Sequence, residues 1–173
     1  MRRSKPSLRV LLTVLILLVS VTASINRGFG RSADKNADKE NNAVKEIGKT
    51  FDDYVRGWNT GNFRLLAGIY ANDETLSVFW PDPARPELLV GWTRISSNLQ
   101  EIFERVHGLD LEFNERKIQV YGDTAVLTSA WVWHHPADPA FGTGRVTFVF
   151  RHHDNKWWII HEHSSVTPFD SVR

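Results

Sequence analysis

The tract from Arg145 to Val166, RVTFVFRHHDNKWWIIHEHSSV, constrains the fold of this chain more than any other. Two runs rich in Val, Phe, Trp and Ile flank Asp154, Asn155 and Lys156. That composition predicts two β-strands joined by a tight turn. Side chains alternate faces along a strand. Unbroken alternation puts Trp157, Ile159, His161, His163 and Ser165 on one face, and Trp158, Ile160, Glu162 and Ser164 on the other. The face carrying Trp157 and Ile159 reads as the inward one. His161 and His163 are therefore expected to line a half-polar pocket.

The ends of the chain bound the rest. Residues 1–9 carry four positive charges and no acid, and Val10–Val21 is apolar apart from Thr13 and Ser20. Val21-Thr22-Ala23 supplies small residues at the end of that run. This is the layout of a signal peptide, residues 1–23, with cleavage expected after Ala23. The apolar run is short for a membrane span, and the alternative is an uncleaved anchor. Export to a periplasmic or extracellular location follows. The chain has no cysteine, so no disulfide can help, and the domain must be held by its core. After removal of residues 1–23, 17 Lys and Arg face 20 Asp and Glu, a net charge of −3. That balance argues against a nucleic-acid partner, which would require a basic surface.

Residues 24–42 are polar, contain SADKNADKENN, and read as a flexible linker. The domain is expected over residues 43–169. Val44, Ile47, Phe51, Tyr54, Val55 and Trp58 recur at helical spacing, with Asn42 as a cap and Asn59-Thr60-Gly61 as a stop. A second helix is expected from Phe63 to Tyr70, capped by Asn62. Thr75–Trp80 reads as a strand, and Pro81, Pro83 and Pro86 make the loop after it. A third helix capped by Thr93 carries Ile95, Leu99, Ile102, Phe103 and Val106, and His107-Gly108 ends it. Strands follow at Leu109–Val120, Thr124–His135, Arg145–His153 and Trp157–Val166, with Pro136–Gly144 as a long loop. Helices first and antiparallel strands after predict an α+β domain. Its curved, cone-shaped antiparallel sheet packs against three N-terminal helices and leaves a cavity between the layers.

This order of motifs resembles the SnoaL-like families of the nuclear transport factor 2-like superfamily. The residues that carry the likeness are Trp58-Asn59-Thr60-Gly61-Asn62-Phe63, Gly91-Trp92, Val120-Tyr121-Gly122-Asp123-Thr124-Ala125, Gly144-Arg145 and the tail from Trp157 to Ser165. The tail is also similar to the association domain of calcium/calmodulin-dependent kinase II. The resemblance implies the cone fold and leaves the activity open, because this superfamily holds isomerases, cyclases, hydrolases, dehydratases and non-enzymatic binding or assembly domains. The catalytic aspartates of the enzyme relatives have no residue-by-residue match here.

Several residue types can carry chemistry. His161 and His163 can exchange protons near neutrality. Asp82 follows Phe79-Trp80, and a carboxylate beside aromatic surface acquires a raised pKa. Arg145 offers a planar fork for an oxyanion or carboxylate, or an ion pair with Glu162. Tyr54, Trp58, Trp80, Trp131 and Trp133 are expected to wall the pocket and to favour a flat or cyclic apolar ligand. An H-x-H pair offers two nitrogen ligands, and a third would have to come from Asp82, His134 or another strand. No zinc signature, phosphate loop or nucleophile elbow is present, so no metal and no cofactor is expected.

The leading expectation is an exported domain that binds a small, partly apolar molecule as a homodimer and is not a well-defined enzyme. The alternative is an acid–base enzyme, ketosteroid-isomerase-like, polyketide-cyclase-like or hydrolase-type, using His161, His163 or Asp82. A third reading is an oligomerisation module like the kinase association domain. Membrane contact is expected only through an uncleaved anchor.

Overall fold

Every strand the sequence predicts joins one sheet in the computed structural model, which describes residues 36–81, 87–106, 109–135 and 138–167. The expected signal peptide, most of the linker, Asp82 with the rest of its proline loop, and His107-Gly108 lie outside the described residues. The chain divides into two units, Met1–Asn42 and Ala43–Arg173. In the first, the end of the expected linker, residues 36–42, is helical.

The second unit begins with helix α1, residues 43–59. Ile47, Phe51, Tyr54 and Trp58 are buried along it, as the three- and four-residue spacing requires. Gly61 takes a positive φ of 62° where the helix stops. Helix α2 (Phe63–Ala67) is shorter than expected, and the Asn62 side chain caps it by accepting from the Leu65 N–H at 3.2 Å. Strand β1 (Ser77–Phe79) pairs antiparallel with a two-residue strand β2 (Leu89–Val90) that the sequence did not suggest. Helix α3 (Trp92–Arg105) starts one residue before the expected Thr93 cap, with Gly91 at the cap position and no side-chain cap bond.

Four long strands follow: β3 (Asp110–Tyr121), β4 (Thr124–His135), β5 (Asp138–His153) and β6 (Lys156–Val166). The sheet order is β2-β1-β6-β5-β4-β3. The β5–β6 turn places Asp154 and Asn155 at φ of 50° and 56°, the left-handed pair that a two-residue hairpin favours. The expected loop at Pro136–Gly144 is largely strand, because β5 begins at Asp138. Gly144 shows why a glycine-rich stretch pairs here. A Cβ at Gly144 would lie 2.0 Å from the Ser165 carbonyl oxygen and 2.3 Å from Cζ2 of Trp131. The missing side chain lets the Trp131 indole lie on the strand.

Two bulges bend the sheet. In β3 the register shifts between Asn114 and Lys117, and Glu115 sits there at φ 56°. In β6, Phe150 pairs with Ile159 but Val149 pairs with His161, leaving Ile160 as an extra residue. The backbone of Ile159 meanwhile bonds to Ile69 and Ala71 on the segment that leads into β1. One extra residue reverses the facing of everything after it. Trp157, Ile159 and Glu162 are all buried, whereas His163 is exposed. The α+β architecture holds as expected, and Trp157 and Ile159 face inward as forecast, while the facing of residues 161–165 is the reverse of the alternation forecast.

Candidate functional site

Between the helices and the inner sheet face opens a cavity of about 380 Å³. Its walls are Tyr54 and Trp58 from α1, Trp80 and Pro81 after β1, Ile102 and Arg105 from α3, Leu111 and Phe113 from β3, Trp131 and Trp133 from β4, and Glu162 and Ser164 from β6. Five of the expected ligand-binding residues, Tyr54, Trp58, Trp80, Trp131 and Trp133, therefore meet here. The aromatic rings lock each other in place: Trp58 meets Trp80 edge to face at 6.0 Å, and Tyr54 meets Phe148 in the same way at 4.8 Å. The Trp131 indole N–H donates to the backbone carbonyl of Arg145 at 3.2 Å.

Glu162 is the polar centre of the site, and it is fully buried. The Tyr54 hydroxyl donates to its Oε1 at 2.8 Å, the Tyr70 hydroxyl donates to its Oε2, and the Ser164 hydroxyl reaches Oε1 at 3.4 Å. The Trp80 indole N–H acts on the carboxyl group without closing a hydrogen bond to it. Burial pushes the Glu162 carboxyl above the usual glutamate range, while the donors, Tyr70 foremost, pull it back. Both tyrosine hydroxyls are held well above their ordinary pKa, first by burial and then by the Glu162 charge. They act as fixed donors at any physiological pH. Such a carboxyl can accept a hydrogen bond from a guest, or exchange a proton with it.

The expected histidine pair lies on the other face. The Ser77 hydroxyl is 2.8 Å from Nδ1 of His161, and His163 packs against Phe79 at 5.3 Å between centroids. Burial and the neighbouring His163 lower the His161 pKa. The Arg145 side chain is exposed and pairs by register with Ser165 and Ala130 on its neighbours. His161, His163 and Arg145 are not among the residues that line the cavity, and Arg145 makes no ion pair with Glu162. Asp82 lies outside the described residues. Among the described residues no group of three or more His, Cys, Asp or Glu is placed to hold a metal ion.

Sequence reasoning missed Glu162 and Tyr70. The local sequence before Glu162, the run Trp157-Trp158-Ile159-Ile160, carries no signal that would have exposed it. That run is compatible with plain alternation over two covered faces, and the bulge that turns Glu162 inward is set by partners outside the strand.

The fold recurs widely among solved structures. A candidate dehydratase of the nuclear transport factor 2-like family from Streptomyces avermitilis is 17% identical with a TM-score of 0.67, matching 74% of this chain and 98% of its own. A protein of that type and of unknown function from Pseudomonas putida is 19% identical with a TM-score of 0.67, over 76% of this chain and 91% of its own. A candidate calcium/calmodulin-dependent protein kinase II association domain from Xanthomonas campestris is 25% identical with a TM-score of 0.60, over 72% and 87%. No curated protein sequence matches significantly. The model of the SnoaL-like domain matches residues 47–169, and the chain belongs to that family, with the nuclear transport factor 2-like fold.

Proposed function

We propose that the domain binds a small, largely apolar, flat or cyclic molecule, with one polar group of the guest reaching Glu162. The observation that carries this reading is a fully buried carboxyl at the wall of a cavity lined by four tryptophans. A packed core does not leave about 380 Å³ open beside a charged group, since burying such a group without use costs several kcal/mol. The working form is an exported homodimer. The basic, then apolar, residues 1–23 support export. The outer sheet face supports the dimer, because it presents Val126, Ala130, Val132 and Val149 only partly covered.

The test is a crystal structure, with mass spectrometry of extracted small molecules, on protein purified without added ligand. A trapped organic molecule with a polar atom in reach of Glu162 is expected. A cavity closed by its own side chains, with no stabilisation by any compound of a flat apolar library, overturns the reading. One observation favours a second reading, acid–base catalysis. A carboxyl raised by burial and fixed by two hydroxyl donors is suited to proton transfer. Recovery of a guest that the protein converts, and that Glu162→Gln leaves unconverted, separates this from binding alone.

A further inference from the structure

Among the described residues, Glu162 has no counter-charge to balance it when it ionises. Ion pairs among the described residues join Asp53 with Arg56, Glu87 with Arg94, Asp52 with Arg116 and Asp154 with His153, all at or near the surface. None involves Glu162, whose partners are the neutral hydroxyls of Tyr54, Tyr70 and Ser164. Donors converging on a carboxyl group favour its ionised form. When the carboxyl ionises they hold its negative charge in place without cancelling it, and burial makes a positive partner the remaining means of balancing that charge. Around that centre stand Trp58, Trp80, Trp131, Trp133, Tyr54 and Phe113. Aromatic faces carry negative potential and attract cations, indole most of all. Among the described residues of the lining the one cationic side chain, Arg105, is exposed, and its Nε donates to the Glu101 carbonyl oxygen at 3.2 Å. Its charge is spent in water at the rim and does not reach the buried carboxylate.

Resting on the binding reading above, we infer that the guest is an organic cation, a protonated or quaternary amine on an apolar frame, held between the tryptophan faces with its charge toward Glu162. A neutral guest with a hydroxyl or amide would fill the same space but leave the buried charge unbalanced. An anionic guest would be repelled by it. Two contacts of different kinds, a carboxylate and aromatic faces, thus select the same ligand charge.

The probes are choline, its uncharged carbon isostere neohexyl alcohol, and its anionic counterpart tert-butylacetate, with benzyltrimethylammonium as a larger cation. Binding to the full-length chain or its mature form is followed by ligand-observed NMR and tryptophan fluorescence. The ammonium compounds are expected to bind at least about tenfold more tightly than neohexyl alcohol, as a desolvated cation–aromatic contact plus a facing charge implies. Glu162→Gln should lower that preference several-fold and leave the smaller share that the aromatic faces supply. Equal or tighter binding of neohexyl alcohol or tert-butylacetate overturns the cation inference and leaves the binding reading standing. Failure of every probe to bind overturns both. These titrations on the unaltered protein decide the matter even where Glu162→Gln does not fold.

Discussion

Removing the Tyr70 hydroxyl tests the whole account of the buried carboxyl. Tyr70 is fully buried, and its hydroxyl donates to Glu162 Oε2. Tyr70→Phe keeps the ring and deletes only that donor. A hydrogen bond to a charged group contributes about 2 kcal/mol, and one between neutral groups about 1 kcal/mol. The cost therefore depends on the protonation state of Glu162. The folded carboxyl titrates above its ordinary range because burial outweighs its donors. The stability that its neutral form confers is complete below the ordinary glutamate range and is lost as pH rises through the raised value. Tyr70 is the foremost of the donors that oppose this shift. Its loss moves the folded pKa further up and widens the window over which stability declines. Urea unfolding of both proteins over a pH series should show a deficit near 1 kcal/mol while the carboxyl is neutral, growing to about 2 kcal/mol or more once pH has risen through its raised folded value. At the upper pH the melting temperature should fall by roughly 5–10 °C. Tyr54→Phe should follow the same trend with a smaller pH-dependent part. A deficit that stays flat with pH would refute the claim that Tyr70 serves the carboxylate.

Gly144→Ala drives a Cβ into the Ser165 carbonyl and the Trp131 ring; overpacking of this kind costs about 3 kcal/mol or more, and a near-normal melting temperature would contradict the packing described. His163→Ala should leave binding in the cavity unchanged, because His163 is exposed on the opposite face; weakened binding in a calorimetric titration would return the histidines to the site. Val149→Glu, on the outer sheet face, should convert the proposed dimer to monomer in light scattering at micromolar concentration, and an unaltered protein that is already monomeric removes the dimer. N-terminal sequencing of exported protein should start at Ser24, whereas an intact Met1 on membrane-bound protein supports an anchor.

The elements were legible because apolar periodicity speaks directly of burial. Ile47, Phe51, Tyr54 and Trp58 announce a helix and its buried stripe, and the paired runs around Asp154-Asn155 announce a hairpin. The tryptophan and tyrosine walls were legible for the same reason. The facing of the polar residues was not. Alternation is a local rule, and the bulge at Ile160 is fixed by non-local partners. Residues 69–71 grip Ile159, and β1 takes His161–His163 in parallel. Nothing in the spacing of β6 itself records those partners. The strand status of residues 138–144 was hidden likewise, since the reason for Gly144 is the indole of Trp131 on another strand.

The extra residue in β6 acts as a selector between two chemistries written on one strand. The segment His161-Glu162-His163-Ser164 stores an imidazole pair on one side and a carboxyl with a hydroxyl on the other. Which side meets the guest is set by whether Ile160 is counted into the ladder. Taking Ile160 into the ladder would turn the imidazoles inward, whereas deleting it would remove the bulge and keep Glu162 facing the guest. The first change would put an imidazole pair where the carboxyl stands without a single substitution. In a scaffold of this kind, a shift of one position in register can alter reactivity more than a substitution in the pocket.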